Sequence, residues 1–341
     1  MKIVVDAFGG DNAPLEIIRG CGMAVQEYGV ELILTGDEEK IRSCAKENGI
    51  SLNGIEIVHA PLVMPVEADY TEVTKSYKES SLAVGLRLLA EGKGDAFLTA
   101  GSTGALVVGS SLIVKRLKGV RRAALGVCIP MGEGCYMLMD GGANSECRPD
   151  MLLQFGMMGS AYMQRVMGIS KPRVALVNNG TEETKGTELQ KEAYALLKKA
   201  PINFMGNVEA RELPLNGCDV AVADGFTGNV ILKLTEGMGK LMSNQLKNIF
   251  KKSLLSKLAA GMVMGSINEF KAKMDYTEYG GAPLLGISKP VIKAHGSSDA
   301  KAIKNAIRQA KSCVEMDVVG QIQESLEQYK AAANPAEGQE G

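Results

Sequence analysis

Short runs of aliphatic residues alternate along this chain with longer segments whose apolar residues recur every three or four positions. Nine runs end in a glycine or a polar turn residue and are predicted to be buried strands: residues 2–6, 32–35, 55–59, 96–99, 127–130, 136–140, 174–178, 202–205 and 220–223. The helix-length segments between them include residues 14–28, 38–48, 80–91, 151–166 and 185–199. Because a helical crossover usually joins neighbouring parallel strands, this alternation predicts a three-layer α/β/α fold with a mostly parallel sheet.

Two regions depart from this alternation. The Pro, Gly and Met residues of 129–136 predict a hairpin and with it an antiparallel strand. Beyond Thr227, helical patterns run to residues 250 and 274 and again over 300–329, and a loop-like stretch at 276–295 separates them. We therefore expect one large α/β unit over residues 1–333, with an inserted helical hairpin at about 247–275 that bends near Gly261 and Gly265, and a disordered tail at 334–341.

Charge and cysteine content exclude several classes of protein. The 38 Lys and Arg residues are balanced by 39 Asp and Glu residues, so the chain lacks the basic excess of a nucleic-acid-binding protein. It begins directly in a strand-like run and has no window of ~18 apolar residues, so we expect a cytoplasmic protein without a membrane span. Seven cysteines without a C-x-x-C motif predict reduced thiols, and two histidines are too few for a His-rich site. We expect no metal and no cofactor.

Glycine is over-represented, at 40 of 341 residues, and much of the excess follows the predicted strands. The polar, glycine-bearing loops are residues 6–11, 100–105, 140–144, 178–182, 206–209 and 224–229. Parallel strands share one carboxyl edge, where ligand crevices form, so we expect all six loops to face one side. Each loop alone is better explained as a helix cap or a tight turn. Six together favour an anion site, because glycine lets backbone N–H groups approach a ligand and helix N-termini attract anions.

Familiar catalytic motifs are missing from the sequence. It lacks G-x-x-x-x-G-K-[ST] and G-x-G-x-x-G, and also G-x-S-x-G and H-E-x-x-H, so kinase, Rossmann, serine-hydrolase and zinc-protease functions lose specific support. Lys185, Lys233 and Lys293 are candidates to meet an anionic substrate, although a lone helical lysine usually faces solvent. His295 lies between an apolar run and a Gly-Ser-Ser helix entry, which fits a structural role as well as a site role.

Six segments, in this order, resemble the motifs of a known family: residues 5–11 (VDAFGGD), 100–105 (AGSTGA), 178–186 (NNGTEETKG), 204–211 (FMGNVEAR), 224–229 (DGFTGN) and 279–298 (YGGAPLLGISKPVIKAHGSS). On these motifs the chain resembles the bacterial phosphate acyltransferase family (PlsX) over almost its whole length. It departs from the family pattern at Phe8, Ser102 and Asn179. Ser102 matters most of these, because a hydroxyl replaces the usual amide in a suspected anion loop.

The resemblance implies transfer of a long-chain fatty acyl group from the phosphopantetheine of acyl carrier protein to inorganic phosphate, which gives acyl phosphate for phospholipid synthesis. It also implies a homodimer with a fold related to phosphotransacetylase and to the isocitrate and isopropylmalate dehydrogenases. Contact with the inner face of the membrane and with the downstream membrane glycerol-3-phosphate acyltransferase is expected. The alternatives are an acyl-CoA phosphotransacylase, a nicotinamide-dependent β-decarboxylating dehydrogenase and a non-catalytic acyl-binding module.

Direct attack of phosphate on the thioester requires no protein nucleophile. The candidate catalytic residues are His295, as a proton or hydrogen-bond donor, Lys185, and Asp224, which could orient a donor. The candidates for binding phosphate and substrate are Asp6, Gly9, Gly10, Asp11, Ser102, Thr103, Gly104, Asn144, Thr181, Glu182, Asn207, Thr227, Gly228, Asn229, Lys293 and Ser297.

Residues 247–273 contain six Lys and one Glu, a local charge of +5 in an otherwise slightly acidic chain. With their apolar neighbours they predict an amphipathic helical hairpin that binds anionic lipid or the acidic carrier protein. A dimer-interface helix with a lysine-rich outer face is nearly as good an interpretation. The candidate surface residues are Lys251, Lys252, Leu254, Leu255, Lys257, Leu258 and Met262.

Overall fold

The computed structural model describes residues 1–132, 134–273 and 279–333. Its strands are β1 (Lys2–Asp6), β2 (Glu31–Gly36), β3 (Ile55–His59), β4 (Ala96–Thr99), β5 (Ala124–Leu125), β6 (Val127–Pro130), β7 (Cys135–Met139), β8 (Arg173–Asn178), β9 (Asn203–Glu209), β10 (Val220–Val222), β11 (Ala282–Leu285) and β12 (Val291–Lys293). Its helices are α1 (Leu15–Tyr28), α2 (Glu38–Glu47), α3 (Ser81–Ala90), α4 (Thr103–Gly109), α5 (Pro149–Arg165), α6 (Glu188–Leu197), α7 (Gly225–Lys251), α8 (Leu254–Lys273), α9 (Ala300–Glu315) and α10 (Val318–Ala333).

These strands form two sheets, ordered β3-β2-β1-β4-β12-β11-β5 and β6-β7-β10-β8-β9. In the first sheet β3, β2, β1, β4 and β12 are parallel, and β11 is antiparallel to both of its neighbours. In the second, β7, β10, β8 and β9 are parallel, and β6 pairs with β7 as the predicted antiparallel hairpin. The predicted α/β class with mostly parallel strands is therefore confirmed, and its strands are divided between two sheets.

Alternating side chains of β1 show why helices cover both faces of the first sheet. Ile3 and Val5 join a buried apolar cluster that includes α1 and α9, whereas Val4 joins a second cluster that includes α3. A strand buried on both faces carries consecutive apolar residues, as Ile3, Val4 and Val5 of β1 do. The first cluster continues through α5 onto one face of the second sheet, so one apolar core spans both sheets.

Two predictions about strands and loops are wrong. The stretch at 276–295 contains β11 and β12 rather than a loop, and residues 276–278 lie outside the described part of the chain. These strands have only four and three residues, too few to show a period. Gly206 and Asn207 lie within β9, because the strand continues through a register shift opposite β8.

The predicted bend of the helical hairpin is also wrong. The chain turns at Lys252 and Ser253, between α7 and α8, while Gly261 and Gly265 lie within α8. A glycine inside a helix is tolerated at a modest cost in stability, so these two residues do not have to mark a bend. Met274 and the predicted tail at 334–341 fall outside the described residues.

The glycine-bearing loops end strands of both sheets, which corrects the expectation that they share one edge. Residues 6–11 and 100–105 follow β1 and β4 of the first sheet, and 140–144, 178–182 and 224–229 follow strands of the second. In the first sheet, parallel pairing places Lys293 opposite Thr99. This register aligns the carboxyl ends of the neighbouring strands β4 and β12, and β4 in turn neighbours β1.

Candidate active site

Asp6, the last residue of β1, joins the loops of two strands. Its Oδ2 accepts a hydrogen bond from Thr99 Oγ1 (2.7 Å), and its Oδ1 accepts one from the Phe8 amide (3.1 Å). The Thr99 hydroxyl oxygen accepts a further bond from the Gly101 amide (2.9 Å), against which Gly9 packs. Burial raises the pKa of Asp6, and the hydrogen bonds that it accepts oppose this shift. Asp6 is buried, and its hydrogen bonds hold the two loops together.

The β1 and β12 loops touch through their main chains. The Asp11 amide donates to the Gly296 carbonyl (2.8 Å), and Asn12 Nδ2 donates to the Ser297 carbonyl (3.1 Å). Gly10 has a φ of +100°, and a Cβ at this position would lie 2.8 Å from the Gly296 carbonyl oxygen. Glycine is therefore required here both by its backbone conformation and by the close approach of the two loops.

Lys293, the last residue of β12, buries its ammonium group within this cluster. Its Nζ donates to the Ala100 carbonyl (3.2 Å) and to the Ala294 carbonyl. Burial lowers the pKa of Lys293 to about 8, and the negative charges of Asp6 and Asp11 act in the opposite direction. Lys293 is therefore mostly charged at pH 7, and it supplies a fixed cation beneath the loops.

His295 follows two residues later and is exposed. Its Nδ1 lies 2.8 Å from Ser297 Oγ and accepts a hydrogen bond from the Ser297 amide (3.2 Å). The neutral ring with this acceptor carries its proton on Nε2. Burial lowers the pKa of His295 below its ordinary value, and the positive charges of Lys233 and Lys293 act in the same direction. At pH 7 the ring is a neutral donor.

Ser102 caps α4 at the end of the neighbouring strand. Its Oγ accepts a hydrogen bond from the Ala105 amide (3.4 Å), as expected for a helix cap. The Thr103 and Gly104 amides open the helix and have no hydrogen-bond partner among the described residues. The ring of Tyr70 packs over Gly104, where a Cβ would lie 3.0 Å from Tyr70 Cδ1. Two amides without a partner among the described residues therefore open α4 beside the Tyr70 ring, in the loop whose Ala100 carbonyl binds Lys293.

The loop residues around Asp6, Thr99 and Lys293 form the first cluster of the site. A second cluster forms around Asp140, directly after β7. Asp140 is fully buried and accepts hydrogen bonds from the amides of Leu125 (2.8 Å), Ala143 (3.1 Å) and Asn144 (2.7 Å). Burial raises its pKa, and these bonds oppose the shift. Asn144 Nδ2 donates to Asp140 Oδ2 (2.9 Å) and to the Ala123 carbonyl (2.8 Å). The side chain of Asn144 therefore fastens the loop to the residue before β5.

Asp224 caps α7 beside this loop. Its carboxylate accepts hydrogen bonds from the Thr227 amide (2.9 Å) and the Thr227 hydroxyl (2.8 Å). The Gly225 amide donates to the Asn144 carbonyl (2.7 Å), and the Gly228 amide donates to the Asp224 carbonyl (2.9 Å). The carboxylate of Asp224 thus occupies the helix N-terminus where the sequence suggested an anion cradle.

Gly228 lies directly on the Asp140 main chain, and Asn229 lies beside Gly142. A Cβ at Gly228 would overlap the Asp140 carbonyl oxygen, so only glycine lets α7 approach the loop this closely. The first two turns of α7 are fixed against the second cluster by this contact.

Replacing Gly228 with Ala should lower the free energy of unfolding by about 1–3 kcal/mol or more, because α7 or the Asp140 loop must move. Gly237 is the matched control: it lies in the same helix and a Cβ there would meet nothing within 4 Å. Gly237→Ala should be neutral or stabilising by up to about 1 kcal/mol. Chemical denaturation of both variants measures the difference, and equal effects would contradict the close packing.

α7 extends from the second cluster, around Asp140, towards the first, around Lys293. Two turns beyond its contact with Asp140, Lys233 and Glu236 form an ion pair (3.0 Å). The negative charge of Glu236 opposes the lowering of the His295 pKa. The positive charge of Lys233 contributes to the lowering of the pKa values of both His295 and Lys293. Charges shift one another's pKa values mainly over short distances. The His295 loop therefore lies near α7, and the space between the two clusters is here called the cleft.

A third cluster follows β8. Asn178 Nδ2 donates to the Lys185 carbonyl (3.1 Å), and Asn207 Nδ2 donates to the Glu182 carbonyl (2.8 Å). Asn207 Oδ1 is buried and has no hydrogen-bond partner among the described residues. Thr181, Glu182 and Lys185 are exposed in the turn before α6. The strand β10 separates this group from the end of β7, so it is more distant in the sheet from the Asp140 loop.

The surface residues predicted on the hairpin lie around its bend and along α8. Leu255 and Met262 are 79% and 88% exposed, and the lysines nearby are exposed as well: Lys251, Lys252 and Lys257. Leu254 and Leu258 lie on α8, and their side chains are outside the described part of the chain. Within the described ranges, no group of three His, Cys, Asp or Glu residues could hold a metal ion, and no helix has an apolar stretch that could cross a bilayer.

Sequence reasoning missed several residues that organise these clusters. Thr99 and Asp140 bind loop amides, Glu236 acts on His295, and Tyr70 covers the start of α4. A signal for two of them was present, because Thr99 and Asp140 are polar residues at the ends of otherwise apolar strands. Glu236 and Tyr70 are brought to the site only by tertiary packing.

Solved structures with the same fold include two phosphotransacetylases. The enzyme from Streptococcus pyogenes has a TM-score of 0.63 and 16% identity, with 96% of this chain and 94% of that chain covered. EutD phosphotransacetylase from Staphylococcus aureus has a TM-score of 0.60 and 19% identity, covering 92% and 94%. A 4-hydroxythreonine-4-phosphate dehydrogenase from Klebsiella pneumoniae also shares the fold, with a TM-score of 0.54 and 13% identity over 92% of this chain and 99% of that chain.

Sequence similarity is closer and spans nearly whole proteins. The family model described as "Fatty acid synthesis protein" matches residues 1–321. The phosphate acyltransferase of Thermoanaerobacterium thermosaccharolyticum is 46% identical over 327 residues, 96% of this chain and 97% of that protein. The phosphate acyltransferase of Desulforamulus reducens is 48% identical over 331 residues, 97% of this chain and 98% of that protein. Identity at this level over almost the full length shows that the chain belongs to the phosphate acyltransferase family of enzymes.

Proposed function

We propose that this protein transfers a long-chain fatty acyl group from the phosphopantetheine thioester of acyl carrier protein to inorganic phosphate, and that the acyl phosphate feeds phospholipid synthesis. The observation that carries the proposal is the buried, charged Lys293 beside a neutral His295, next to the open amides of α4. A cation and free amides suit a phosphate dianion. A ring N–H suits the negative charge that develops on a thioester carbonyl.

In the proposed reaction an oxygen of HPO₄²⁻ attacks the carbonyl carbon of the thioester. The tetrahedral intermediate collapses as the carbon–sulfur bond breaks, and the phosphate hydroxyl proton ends on the departing thiolate. The products are acyl phosphate and free thiol, with no net uptake of protons. No protein nucleophile takes part. The protein has to hold both substrates in reacting geometry and stabilise negative charge.

The phosphate is assigned to the Thr103 and Gly104 amides and the Lys293 ammonium group. The Nε2–H of His295 is assigned to the carbonyl oxygen. Because the pKa of His295 is lowered, the ring acts at pH 7 as a neutral hydrogen-bond donor rather than as an imidazolium acid. Lys185 lies on a different loop and is assigned to an anionic part of the acyl donor.

Hydroxylamine trapping tests the proposed reaction directly. Pure protein is incubated with phosphate and either palmitoyl carrier protein or palmitoyl-CoA, and acyl phosphate is trapped as the hydroxamate. We expect phosphate-dependent hydroxamate, formed more efficiently from palmitoyl carrier protein than from palmitoyl-CoA. If only palmitoyl-CoA gives hydroxamate, the acyl donor is acyl-CoA rather than acyl carrier protein. If neither donor gives hydroxamate above the enzyme-free rate, the transferase proposal is refuted.

A homodimer is proposed from the apolar side of α7. The helix has 27 residues, so it is about 40 Å long, and only two of them are buried in the chain, Gly225 and Gly228. Large apolar side chains recur along it about once per turn and are roughly half or more exposed: Phe226, Val230, Leu234, Met238, Leu241, Met242 and Ile249. A stripe of this length is typical of a helix that packs on a partner, and a second copy of the chain is the proposed partner.

Membrane contact is proposed for the bend and α8, and with it a cytoplasmic enzyme on the inner face of the membrane. Exposed Leu255 and Met262 lie beside exposed lysines, a combination that binds anionic lipid surfaces. This position would place acyl phosphate near the downstream membrane glycerol-3-phosphate acyltransferase. The carrier protein as the ligand of this surface is the alternative outcome.

Two double variants separate these roles of the hairpin. Leu234→Glu with Leu241→Glu should lower the mass seen by light scattering from twice 36.2 kDa towards the single chain, because carboxylates would be buried at the interface. Leu255→Glu with Met262→Glu should keep the dimer and lose flotation with anionic vesicles. Each variant is the control for the other. Unchanged mass in the first variant would reject the α7 interface, and unchanged flotation in the second would reject the lipid surface.

A further inference from the structure

A basic loop, residues 115–122, connects the end of the α4 region to β5. It holds five cations in eight residues: Lys115, Arg116, Lys118, Arg121 and Arg122. No acidic residue occurs anywhere between Asp95 and Glu133 in the sequence, so neighbours along the chain do not neutralise this loop. All five cationic side chains are exposed. The near-zero net charge of the chain conceals this patch.

Little of this charge is neutralised within the protein. Arg121 forms an ion pair with Asp150 (3.2 Å), a carboxylate that it shares with Arg148. Lys115, Lys118 and Arg122 form no ion pair with the residues that the structure describes. A sixth cation adds to the patch, because Lys330 of α10 places its ammonium group over Gly119.

The basic loop is held in place by several hydrogen bonds. Gln154 of α5 donates to the Gly119 carbonyl (2.9 Å) and accepts from the Arg121 amide (2.8 Å). The Leu117 amide donates to the Gly286 carbonyl (3.0 Å). A charged surface fixed in this way loses less conformational entropy on binding a partner than a mobile loop would.

The loop borders the second cluster of the cleft. Ala123 directly follows it, and the Ala123 carbonyl accepts from Asn144, whose own carbonyl accepts from the first amide of α7. The positive charge of Arg122 lowers the pKa of Cys147, which burial raises to about 12. Arg122 therefore lies close to the loop that carries Asn144. A partner seated on the basic loop would be next to the cleft.

An acidic protein surface fits this loop better than a membrane does. Three of the five cations are Arg, whose planar guanidinium groups pair with carboxylates through two hydrogen bonds, as Arg148 does with Asp150. Membrane-binding segments combine cations with apolar side chains that enter the lipid. The apolar residues of the loop, Leu117 and Val120, are half-buried and buried.

We propose that the basic loop is the docking surface for the acidic carrier protein that delivers the acyl thioester. This inference rests on the proposed function, because it names the surface that receives the proposed donor. Carboxylates of the carrier protein pair with the exposed Lys and Arg side chains, and its phosphopantetheine arm enters the cleft beside Asn144. An acyl-CoA donor carries the same thioester without the acidic protein and does not need these contacts.

The test reverses two charges that lie outside the cleft clusters. Lys115→Glu with Lys118→Glu is compared with Lys46→Glu with Lys171→Glu, a control that reverses two exposed lysines elsewhere. The first variant should raise KM for dodecanoyl carrier protein about tenfold or more at low salt. Its kcat/KM for dodecanoyl-CoA should stay within about threefold of the unmodified protein, since rim charges act mainly on association with the charged partner. The control variant should match the unmodified protein with both donors.

Direct binding keeps the inference separate from the proposed function. Fluorescence anisotropy of labelled carrier protein should show weaker binding to the Lys115/Lys118 variant and a smaller salt dependence than the unmodified protein. If neither donor gives acyl phosphate, the proposed function fails, and this measurement still decides the docking surface. Equal losses with both donors, unchanged carrier binding, or loss of binding to anionic phosphatidylglycerol vesicles alone would each overturn the inference.

Discussion

Replacing Lys293 with Met is expected to lower acyl phosphate formation by about a hundredfold or more, because it removes the cation assigned to the phosphate dianion. Methionine has a similar length and can occupy the same buried space. The loss should appear in kcat/KM for phosphate at pH 7, measured with a saturating acyl donor. Lys289, two residues before β12, is the matched control. Lys289→Met should have near-normal kinetics, and equal losses in the two variants would contradict the assignment.

The same variant tests the state of the buried lysine through stability. The pKa of Lys293 is about 8 in the folded protein and 10.5 as its reference value, so the unfolded chain binds more protons between these pH values. Keeping the charged group buried, at 9% exposure, costs about 3 kcal/mol below pH 8, and this cost disappears as pH rises to 10.5. The stability of the unmodified protein should therefore rise relative to Lys293→Met across this window. The buried thiols are common to both proteins and cancel in the difference. A constant difference would show that Lys293 is not perturbed.

Replacing His295 with Ala is expected to lower turnover by about a hundredfold, because the donor to the thioester carbonyl is lost. Replacing it with Gln places an amide N–H close to the former Nε2 and should restore about tenfold of that loss. His295→Asn, whose shorter amide lies near the former Nδ1, is the control, and its turnover should stay as low as that of His295→Ala. Steady-state kcat with a saturating donor measures the series. Equal turnover of the three variants would contradict donation from Nε2, and near-normal turnover of folded His295→Ala would remove the residue from the mechanism.

The pH profile distinguishes a neutral donor from a charged acid. Because the pKa of His295 is lowered, its neutral form persists below pH 6.5. With kcat measured at saturating phosphate, so that titration of free HPO₄²⁻ does not enter, turnover should fall only as pH drops through the shifted pKa. That acidic limb should be absent from the His295→Gln variant. A rate that rises as pH falls through this limb would show that the imidazolium is the active form.

Much of this fold could be predicted because its local patterns are strong. The strands at 2–6, 55–59, 96–99 and 127–130 have the predicted bounds, since each is an apolar run closed by a turn residue. β11 and β12 could not be predicted, because seven residues divided between two strands have no measurable period. The division into two sheets follows from pairings between distant residues, which no local pattern reports.

The candidate site was predicted less completely. Sequence motifs identified His295, Lys293 and the loop at Ser102, and the structure brings the loops that carry them to the end of the first sheet. The depth of Lys293 was not predictable, because burial depends on how the β1, β4 and β12 loops stack. Asp224 was predicted to orient a donor, and its capping bonds to Thr227 show a local role. The role of Lys185 stays a prediction.

The cations of the basic loop show a different limit of sequence reading. Five Lys and Arg residues in eight positions are visible in the sequence, but a run of charges usually marks a solvated surface. What distinguishes the basic loop from a solvated surface is its position. The carbonyl of Ala123, which follows the loop, accepts a hydrogen bond from Asn144 and so places the loop beside the cleft. Proximity of this kind requires the fold.

Phosphate itself is proposed to attack the thioester, without an acylated protein as an intermediate. Thiol release and acyl phosphate formation, followed together with acyl carrier protein as donor, test it most directly. Direct attack should give equal amounts of free thiol and acyl phosphate, both dependent on phosphate, with no acyl group retained on the protein when phosphate is omitted. Thiol release without acyl phosphate, or an acylated protein that later reacts with phosphate, would contradict it.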